Sequence, residues 1–299
     1  MTDNMLFYIK ANDKYIYLRD VLISHFLLSH SLITKLKVQQ KIKVNGQVTF
    51  TNYKLQTGDM VEINLDLEEN NYIDPQDIPL NVVYEDEDFL LINKTAGLAV
   101  YPVKGIPNGT LANAVTYYWM QQGKSNLFRP INRLDKDTSG LILIGQSQYA
   151  HQAIFRQLQT GEVKRQYQAL VEGVLPEEKG CINLPIARLA TNYSSRTVDA
   201  CGKEAITEYT VVKRYEGYTL LALTLGTGRT HQIRVHMSRL GHPICGDSRY
   251  GYPSALINRQ ALHAGRLAFK LPRTGTAVEF ETNLPLDFVN LLKNLNPLN

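Results

Sequence analysis

The chain has 299 residues, of which 44% are hydrophobic and 20% are charged. This composition excludes a disordered protein and is sufficient for one large or two unequal folded domains. The formal net charge of +4 does not identify a nucleic-acid-binding protein by itself, because net charge indicates partners only when it is extreme or segregated. The three cysteines lack CxxC spacing, which argues against a disulfide framework or a closed zinc site. No segment approaches the roughly 20 apolar residues of a membrane helix, so we expect a soluble, cytoplasmic protein without a membrane partner.

The amino-terminal part, residues 1–75, is predicted to form a small unit of its own. Its hydrophobic pattern stops at the acidic, asparagine-rich stretch DLEENNYIDPQDIP, which is typical of a linker. Asn45-Gly46 predicts a hairpin turn, and Thr57-Gly58-Asp59 predicts a second turn before the strand MVEINL. The stretch KLKVQQKIKVNGQV contains four lysines and no acid. Such a run is usually a solvated face, and an RNA-binding surface is the alternative.

The remainder, residues 76–299, is predicted to contain mostly strands with a few helices. VVYEDEDFLLINK indicates two strands around an acidic turn, KRQYQALVEGVL indicates one strand, and TEYTVVKRYEGYTLLALTL indicates a hairpin that turns at Glu216-Gly217. SQYAHQAIFRQLQTG has helical spacing, with Ser147 as N-cap and Gly161 beyond the end.

A second helix is predicted in TGRTHQIRVHMSRLG. Thr230 is its expected N-cap, Ile233, Met237 and Leu240 share one face, and Gly241 lies beyond its end. The preceding GTGRTH is not GxGxxG and follows no βαβ pattern, which argues against dinucleotide binding.

The stretch INRLDKDTSGLILIG places two aspartates directly before an apolar strand. Taken alone, Asp135 and Asp137 are interpreted as turn residues that bond their own backbone, and Arg133 as half of a surface ion pair. Taken alone, Tyr167 is interpreted as an ordinary aromatic residue of a strand, and Arg234 is interpreted as a residue that holds a helix against the sheet.

Five segments taken together change this interpretation: RLDKDTSG, KRQYQALVEG, GTGRTHQIRVH, GHPICGDSRYG and LHAGRLAF. In this order and at these separations, they resemble the RluA-like group of RNA pseudouridine synthases, which convert uridine in folded RNA to its C-linked isomer. The resemblance covers about residues 80 to 285. It implies an α+β catalytic domain with a mixed, largely antiparallel sheet and flanking helices.

The resemblance also implies roles for individual residues. The essential aspartate falls on Asp135, the aromatic residue on Tyr167 and the buried basic partner on Arg234. Ile233 corresponds to an apolar wall of the base pocket, and Arg133 to an arginine that contacts RNA and helps to fill the space left by the extruded base. Asn132, Thr95 and Tyr101 depart from the family pattern without removing an acid, base or aromatic residue that the reaction needs.

The residue types suit the chemistry. Extruding a stacked uridine costs a few kcal/mol, and stacking on an aromatic ring returns about 1 to 3 kcal/mol. Breaking N1–C1′ and forming C5–C1′ requires a carboxylate that attacks covalently or accepts a proton, and these alternatives remain open. A carboxylate in an apolar pocket tends to take up a proton, whereas an arginine within about 4 to 6 Å favours the ionised form.

Arg229 precedes the second predicted helix, where a phosphate could meet both its guanidinium and free backbone amides. His231 and His236 are five residues apart and do not share a helical face, so no metal site is predicted. The isomerisation is redox-neutral, and no organic cofactor is expected.

The amino-terminal unit resembles the small RNA-binding module of ribosomal protein S-four through LITKLKVQQKIKVNGQVTFTNYKLQTGDMVEINL. The arginine expected after the serine of its helical part is replaced by His30 or Ser31. Such a module adds a lysine-lined surface that reads RNA shape and phosphate.

The sequence therefore predicts a cofactor-independent RNA pseudouridine synthase, monomeric, that acts on structured RNA and not on DNA. The expected substrate is ribosomal RNA of the 23S type, with tRNA as the second candidate. A catalytically silent RNA-binding protein on the same scaffold is the alternative. A nucleoside or glycoside hydrolase is a more remote one, for which Asp137 would have to supply a second carboxylate.

Overall fold

The structure, a computed structural model, describes residues 4–65, 67, 73–103, 105–189 and 191–298. Residues 66 and 68–72, which are part of the predicted linker, lie outside the described residues. Two main sheets organise the described chain, one built before the linker and one after it. No helix in the described ranges is long and apolar enough to cross a bilayer.

The amino-terminal sheet has four antiparallel strands in the order β1-β4-β2-β3. The elements of this part are β1 (Asn4–Tyr8), α1 (Leu18–Asp20) with a π-helical turn that follows it (Val21–His25), α2 (His30–Val38), β2 (Ile42–Val44), β3 (Gln47–Val48) and β4 (Met60–Asn64). Asn45 and Gly46 both have positive φ, as a two-residue hairpin requires, so the predicted turn is confirmed. The turn at Gly58 before β4 is confirmed as well, with φ +95°.

The larger sheet has ten strands and belongs to the carboxy-terminal part. Its main path runs β10-β13-β14-β9-β15-β8-β6-β5, while β16 pairs with β15 and β7 pairs with β8. The strands are β5 (Val82–Glu85), β6 (Phe89–Lys94), β7 (Arg129–Pro130), β8 (Ser139–Gly145), β9 (Lys164–Glu172), β10 (Lys179–Asn183), β13 (Ile206–Tyr215), β14 (Tyr218–Leu225), β15 (Leu262–Lys270) and β16 (Ala277–Glu281). A separate two-stranded sheet is formed by β11 (Ile186–Leu189) and β12 (Asn192–Val198).

The expectation of an α+β domain with a mixed, largely antiparallel sheet is confirmed. Within the described strands, β15 and β8 form the one parallel pair, through His263–Ser139 and Ala264–Gly140. The helices of this part are α3 (Leu111–Gln121), α4 (Gln148–Gln159), α5 (Gln232–Arg239) and α6 (Leu286–Lys293).

The apolar run of β8 is explained by burial on both faces. Ile142 and Ile144 pack with Val115 and Trp119 of α3 in one core cluster. The alternate residues of the same strand, Leu141 and Leu143, pack with Ala150 and Ile154 of α4 in another cluster. A strand covered by helices on both sides has no polar face, and this produces a continuous hydrophobic stretch in place of an alternating one.

Helix α4 begins and ends as the sequence predicts. The Ser147 hydroxyl accepts a hydrogen bond from the Ala150 N–H at 3.1 Å, and Gly161 has φ +73° just beyond the end. The amino-terminal part contacts this helix, because Tyr149 joins its core cluster and the Ser29 N–H lies 3.4 Å from Oε1 of Gln152.

The predicted start of α5 is wrong. Its N-cap is His231, which has a left-handed backbone (φ +59°) and makes no side-chain capping bond, and Thr230 does not cap the helix. The Gln232 side chain closes the end instead, since its Oε1 accepts from the N–H of Arg229 at 2.9 Å and from the Thr227 hydroxyl at 2.8 Å. Gly241 follows the helix as expected, with φ +88°.

The close approach of the parallel strands gives a test of the fold. Gly140 has φ +115°, and a Cβ at this position would meet the Ala264 carbonyl oxygen and lie 2.6 Å from the Ala264 nitrogen. Gly140→Ala is therefore expected to lower the free energy of unfolding by about 3 kcal/mol or more. Gly217→Ala is the matched control, because residue 217 has φ +75° but no atom within 4 Å of the added Cβ.

The two variants are compared by chemical unfolding. The control is expected to lose about 1 kcal/mol, which is the cost of a left-handed backbone alone. Equal losses in both variants would contradict the close contact between β8 and β15.

Candidate active site

Asp135 lies in the turn between β7 and β8. The turn is closed by its backbone carbonyl, which accepts from the Thr138 N–H at 3.1 Å. Its carboxylate takes no part in the turn: Oδ2 accepts a hydrogen bond from Nη1 of Arg234 on α5 at 2.7 Å. The geometry therefore goes against the interpretation of Asp135 as an ordinary turn residue.

The backbone of this turn is held from beneath by Lys94, whose side chain is 1% exposed. Its Nζ donates to the carbonyls of Thr95, Leu98 and Lys136 at 2.8, 3.0 and 2.9 Å. Three acceptors use all three protons of an ammonium group. Burial lowers the pKa of Lys94 to about 7, against an opposing pull from Asp137 and Asp135.

Two further contacts fix the ends of the turn. The Asn132 side-chain amide binds the backbone of β8: it donates to the Leu141 carbonyl at 3.0 Å and accepts from the Leu143 N–H at 2.8 Å. On the other side, Gln260 Nε2 donates to the Thr138 hydroxyl at 3.1 Å. Asp135 is thus presented on a short backbone segment that is held at several points.

Arg234 connects Asp135 to a second carboxylate, that of Asp247. Nε and Nη2 of the guanidinium donate to the two oxygens of Asp247 at 2.7 and 2.8 Å, a bidentate pair, while Nη1 reaches Asp135. Burial alone would lower the pKa of Arg234, but its hydrogen bonds and ion pairs with Asp247 and Asp135 raise it above the usual arginine value. The arginine is therefore a fixed positive charge between two acids.

Asp247 is itself held in place by the backbone. Its Oδ1 accepts from the N–H groups of Arg249 and Tyr250 at 3.0 and 3.2 Å. Burial would raise the pKa of Asp247, but Arg234 and these two N–H groups lower it. The orientation of Arg234 is consequently set by a buried anion that does not itself face the cleft.

A cleft of about 630 Å³ lies above this group. Its lining includes every site residue predicted from the sequence and does not include Asp137; the predicted residues are Asp135, Tyr167, Arg234, Arg133, Ile233 and Arg229. Tyr167 and Ile233 are buried, whereas Arg133 and Arg229 are exposed. The cleft thus has an acid and apolar walls inside, with cations at its rim.

Tyr167 presents a ring to this cleft from the middle of β9. Burial raises the pKa of its phenol, Arg165 lowers it and Asp135 raises it. The hydroxyl therefore stays protonated at neutral pH, and the side chain offers an uncharged aromatic surface beside the carboxylate.

The predicted phosphate site at Arg229 is only partly supported by the geometry. The Arg229 N–H is already bonded to Gln232, so it is not a free amide at the helix start. The guanidinium Nε donates to the Glu204 carbonyl at 2.8 Å, which holds the side chain at the rim of the cleft.

Sequence reasoning missed His231 as a neighbour of the acid. Its Nε2 lies 3.7 Å from Oδ1 of Asp135, and its Nδ1 lies 2.7 Å from the Tyr250 hydroxyl. That hydroxyl accepts from the Arg196 N–H at 2.8 Å, so its own proton is available to Nδ1. Burial lowers the pKa of His231, Asp135 raises it, and Arg234, Arg249 and Arg196 lower it further, which favours the neutral ring with its proton on Nε2.

Asp247 and Lys94 were also missed. Both lie in segments that stood out in the sequence, GHPICGDSRYG and LINKTAG, but nothing in their local pattern indicates which distant group they contact. Among the residues that the structure describes, no cluster of three or more His, Cys, Asp or Glu side chains could hold a metal ion. The absence of a metal and a cofactor in the reaction stays a prediction.

Comparison with known proteins places this site in a family. A family model described as RNA pseudouridylate synthase matches residues 88–239. An uncharacterized RNA pseudouridine synthase of Bacillus subtilis, YlyB, is 40% identical over 88% of this chain and 89% of its own length. Ribosomal large subunit pseudouridine synthase D of Escherichia coli is 37% identical over 89% of this chain and 86% of its own length.

Solved structures agree with the sequence relatives. Human RNA pseudouridylate synthase domain containing 1 aligns with a TM-score of 0.59 at 28% identity, over 74% of this chain and 89% of that one. The chain belongs to the RNA pseudouridylate synthase family, and it is an enzyme that isomerises uridine in RNA to pseudouridine. The resemblance inferred from the five segments is confirmed.

The Arg234–Asp247 pair yields a test that separates stability from activity. Asp247→Asn is expected to lower the free energy of unfolding by about 3 kcal/mol, because it leaves a buried guanidinium without its main counter-ion. It is also expected to reduce turnover per folded molecule at least about tenfold, since Arg234 then no longer positions Asp135.

Asp88→Asn is the matched control. Asp88 is also buried and binds Arg273 through two hydrogen bonds, at 2.8 and 2.9 Å, but it does not line the cleft. Chemical unfolding and single-turnover rates are measured for both variants. If the two lose stability alike and both keep full turnover, Asp247 does not position the active site.

Proposed function

We propose that this enzyme isomerises uridines of large-subunit ribosomal RNA, with Asp135 as the catalytic carboxylate, Tyr167 as the stacking partner of the extruded base and Arg234 as the ion-pair partner of the acid. The observation that carries the proposal is the 2.7 Å ion pair between Asp135 and Arg234 at the floor of a cleft large enough for a nucleotide.

The two oxygens of Asp135 have different tasks. Oδ2 is bound by Arg234. Among the residues that the structure describes, the partner of Oδ1 is the His231 ring nitrogen at 3.7 Å, which is too long for a hydrogen bond. Oδ1 is therefore the oxygen that meets the substrate, either as a nucleophile or as the acceptor of a proton. The guanidinium of Arg234, 2.7 Å from Oδ2, holds the carboxylate in the orientation that presents Oδ1 to the cleft.

The apolar walls keep the base in place while it changes its bond. After N1–C1′ breaks, the uracil must rotate before C5–C1′ forms, and it must not escape in the meantime. Stacking on Tyr167 and contact with Ile233 restrict the base to its own plane and permit this rotation. Arg133, exposed at the rim, suits the vacated position in the RNA stack.

The choice of RNA is supported by the names of relatives. Proteins called ribosomal large subunit pseudouridine synthase D in Escherichia coli and Haemophilus influenzae are 37% and 38% identical to this chain over most of its length. The proposal transfers their named substrate class to this chain, with tRNA as the second candidate. We also propose that the enzyme is monomeric and works in the cytoplasm, where ribosomal RNA is processed.

We further propose that residues 1–75 act as an RNA-binding module attached to a catalytic domain of residues 76–299. Strands β2 and β4 and helices α1 and α2 form a core cluster of their own, against which β1 packs and to which the second part contributes Tyr149. Lys35 and Lys37 are exposed on α2, a position from which lysines can contact RNA phosphates.

Asp135→Asn provides the direct test of the catalytic role. Tritium release from unmodified, [5-³H]uridine-labelled 23S-type transcripts is expected with the native enzyme and is expected to fall at least about 10⁴-fold in the variant, because the carboxylate is the reacting group. Asp137→Asn, two residues away and outside the cleft lining, is expected to stay within about threefold of native activity.

The possible outcomes separate the candidate functions. Full activity of Asp135→Asn would refute the catalytic role. An absence of tritium release from ribosomal and transfer RNA with the native protein, together with tight binding, would indicate a silent RNA-binding protein. Free uracil in the products would indicate hydrolysis.

Arg234→Met is expected to lose turnover while it retains RNA binding at moderate salt. The physical reason is that Arg234 is buried beneath the acid and not at the rim, so it holds Asp135 in position and does not contact phosphates. Binding is measured by filter retention and turnover by tritium release. Arg234→Lys, which keeps the charge, serves as the second variant, with thermal unfolding as the check on folding.

If both Arg234 variants remain folded and lose binding and turnover to the same extent, Arg234 contacts the RNA backbone and does not act through Asp135. Retained turnover in Arg234→Met would show that the ion pair is not needed.

A further inference from the structure

Arg165 is a charged residue of the cleft that has no role in the proposed reaction. It lies on β9 two residues before Tyr167, so both side chains leave the same face of the strand, about 6.5 Å apart along it. Both line the cleft that contains Asp135. Neither the ion-pair network of the acid nor the proposed base pocket makes use of this guanidinium.

The guanidinium lacks the partners that a charge in this position normally has. Its Nη2 donates one long hydrogen bond, 3.4 Å, to the Leu225 carbonyl, and its Nε is buried without an acceptor. It forms no ion pair with any described carboxylate, including Asp135 and Glu204, the two acids that line the cleft. Burial lowers the pKa of Arg165, and Tyr167 raises it.

Other inward-facing arginines of this protein are compensated. Arg234, Arg259 and Arg273 each contact a carboxylate oxygen at 2.6 to 2.8 Å. A buried cation without a counter-ion destabilises a folded protein. Arg165 is half-buried, so part of this destabilisation applies to it. Because its side chain lines the cleft, a ligand in the cleft can supply the missing negative charge.

The loop that follows β14 leaves room for this group. A Cβ on Gly228 would lie 2.7 Å from Nη1 of Arg165, so a side chain at position 228 would displace the guanidinium. Glycine at this position allows the loop backbone to lie against Nη1. Arg229, the next residue, carries a second cation to the same rim.

We propose that Arg165 binds a phosphodiester of the substrate RNA adjacent to the extruded uridine. Uracil is neutral, and the anions that accompany a flipped nucleotide into the cleft are its own phosphates. Two N–H groups of Nη1 and one of Nη2 are available as donors, a number that suits the oxygens of one phosphate. With Tyr167 beside it on the same strand, the base and the backbone of one nucleotide are held by residues with a fixed separation.

This inference rests on the proposed function, because the phosphate belongs to the nucleotide over Asp135. It is tested by RNA binding in the Asp135→Asn background, in which the substrate is not consumed. The probe is an unmodified 23S-type ribosomal RNA transcript, and its affinity is measured while the NaCl concentration is varied. Arg165→Met is expected to make the slope of log K against log salt shallower by about one, the change expected for one phosphate contact.

Turnover is measured in the otherwise native enzyme with the same transcript. The Arg165→Met variant is expected to lose about 10- to 100-fold in kcat/KM, and Arg165→Lys is expected to recover part of the salt slope. The Tm of Arg165→Met without RNA is expected to be equal to or higher than that of the native protein, because the substitution removes an uncompensated charge.

Arg266→Met is the matched control. Arg266 pairs with Gln166 across β15 and β9, so its side chain lies on the opposite face of the sheet from Arg165, and it binds Glu279 and Glu281. It is expected to leave the salt slope and turnover unchanged.

Several outcomes would overturn the assignment. An unchanged salt slope with reduced turnover would mean that Arg165 contacts the neutral base. A fall in Tm together with weaker binding would mean a structural role. The salt titration needs RNA binding alone, so it remains decisive even if the native protein released no tritium and the proposed reaction itself failed.

Discussion

The active site depends on one guanidinium that binds two carboxylates. Arg234 holds Asp247 with two hydrogen bonds and Asp135 with one, so its position is set by the buried partner and its effect is exerted on the exposed one. With Arg234 fixed in this way, Asp135 is held in the cleft where the proposed function places the uracil ring.

This arrangement is possible because the ion pair is assembled from two segments that are far apart in the chain. Asp135 comes from the turn before β8, and Arg234 and Asp247 come from α5 and the loop after it. Lys94 holds the turn through three carbonyls, and Asn132 ties it to β8. Rigid support on both sides keeps the acid at a constant distance from its partner, so little reorganisation is required when the substrate enters.

The cleft also separates its charges by depth. The paired acid and arginine lie at the floor, the apolar side chains Tyr167 and Ile233 form the walls, and Arg133 and Arg229 stand at the rim. An extruded nucleotide has the corresponding order, with a reacting glycosidic bond, an apolar base face and an anionic backbone. Arg165 departs from this pattern, because it is a half-buried cation that forms no ion pair with any carboxylate in the described residues. For this reason we propose that it binds a phosphate.

Local sequence was a good guide to the elements whose structure is decided by neighbouring residues. The hairpin at Asn45-Gly46 and the caps of α4 at Ser147 and Gly161 depend on φ preferences and short-range hydrogen bonds, and they are confirmed. Helix α3 was not foreseen, because its middle is rich in β-branched and aromatic residues that are also typical of strands. The signal that could have located it is the capping pair of Thr110 and Asn113.

The proposed catalytic residues were identified by family resemblance, and their types alone left other interpretations open. By itself the sequence determined which side chains are available, where most strands turn and to which family the chain belongs. Only the tertiary structure decided that Arg234 binds Oδ2 of Asp135 and leaves Oδ1 open, that His231 and not Thr230 starts α5, and that Asp247 lies behind the arginine. The physical reason is separation along the chain: contacts between residues 99 positions apart arise from the packing of α5 against the sheet, and no short-range pattern encodes them.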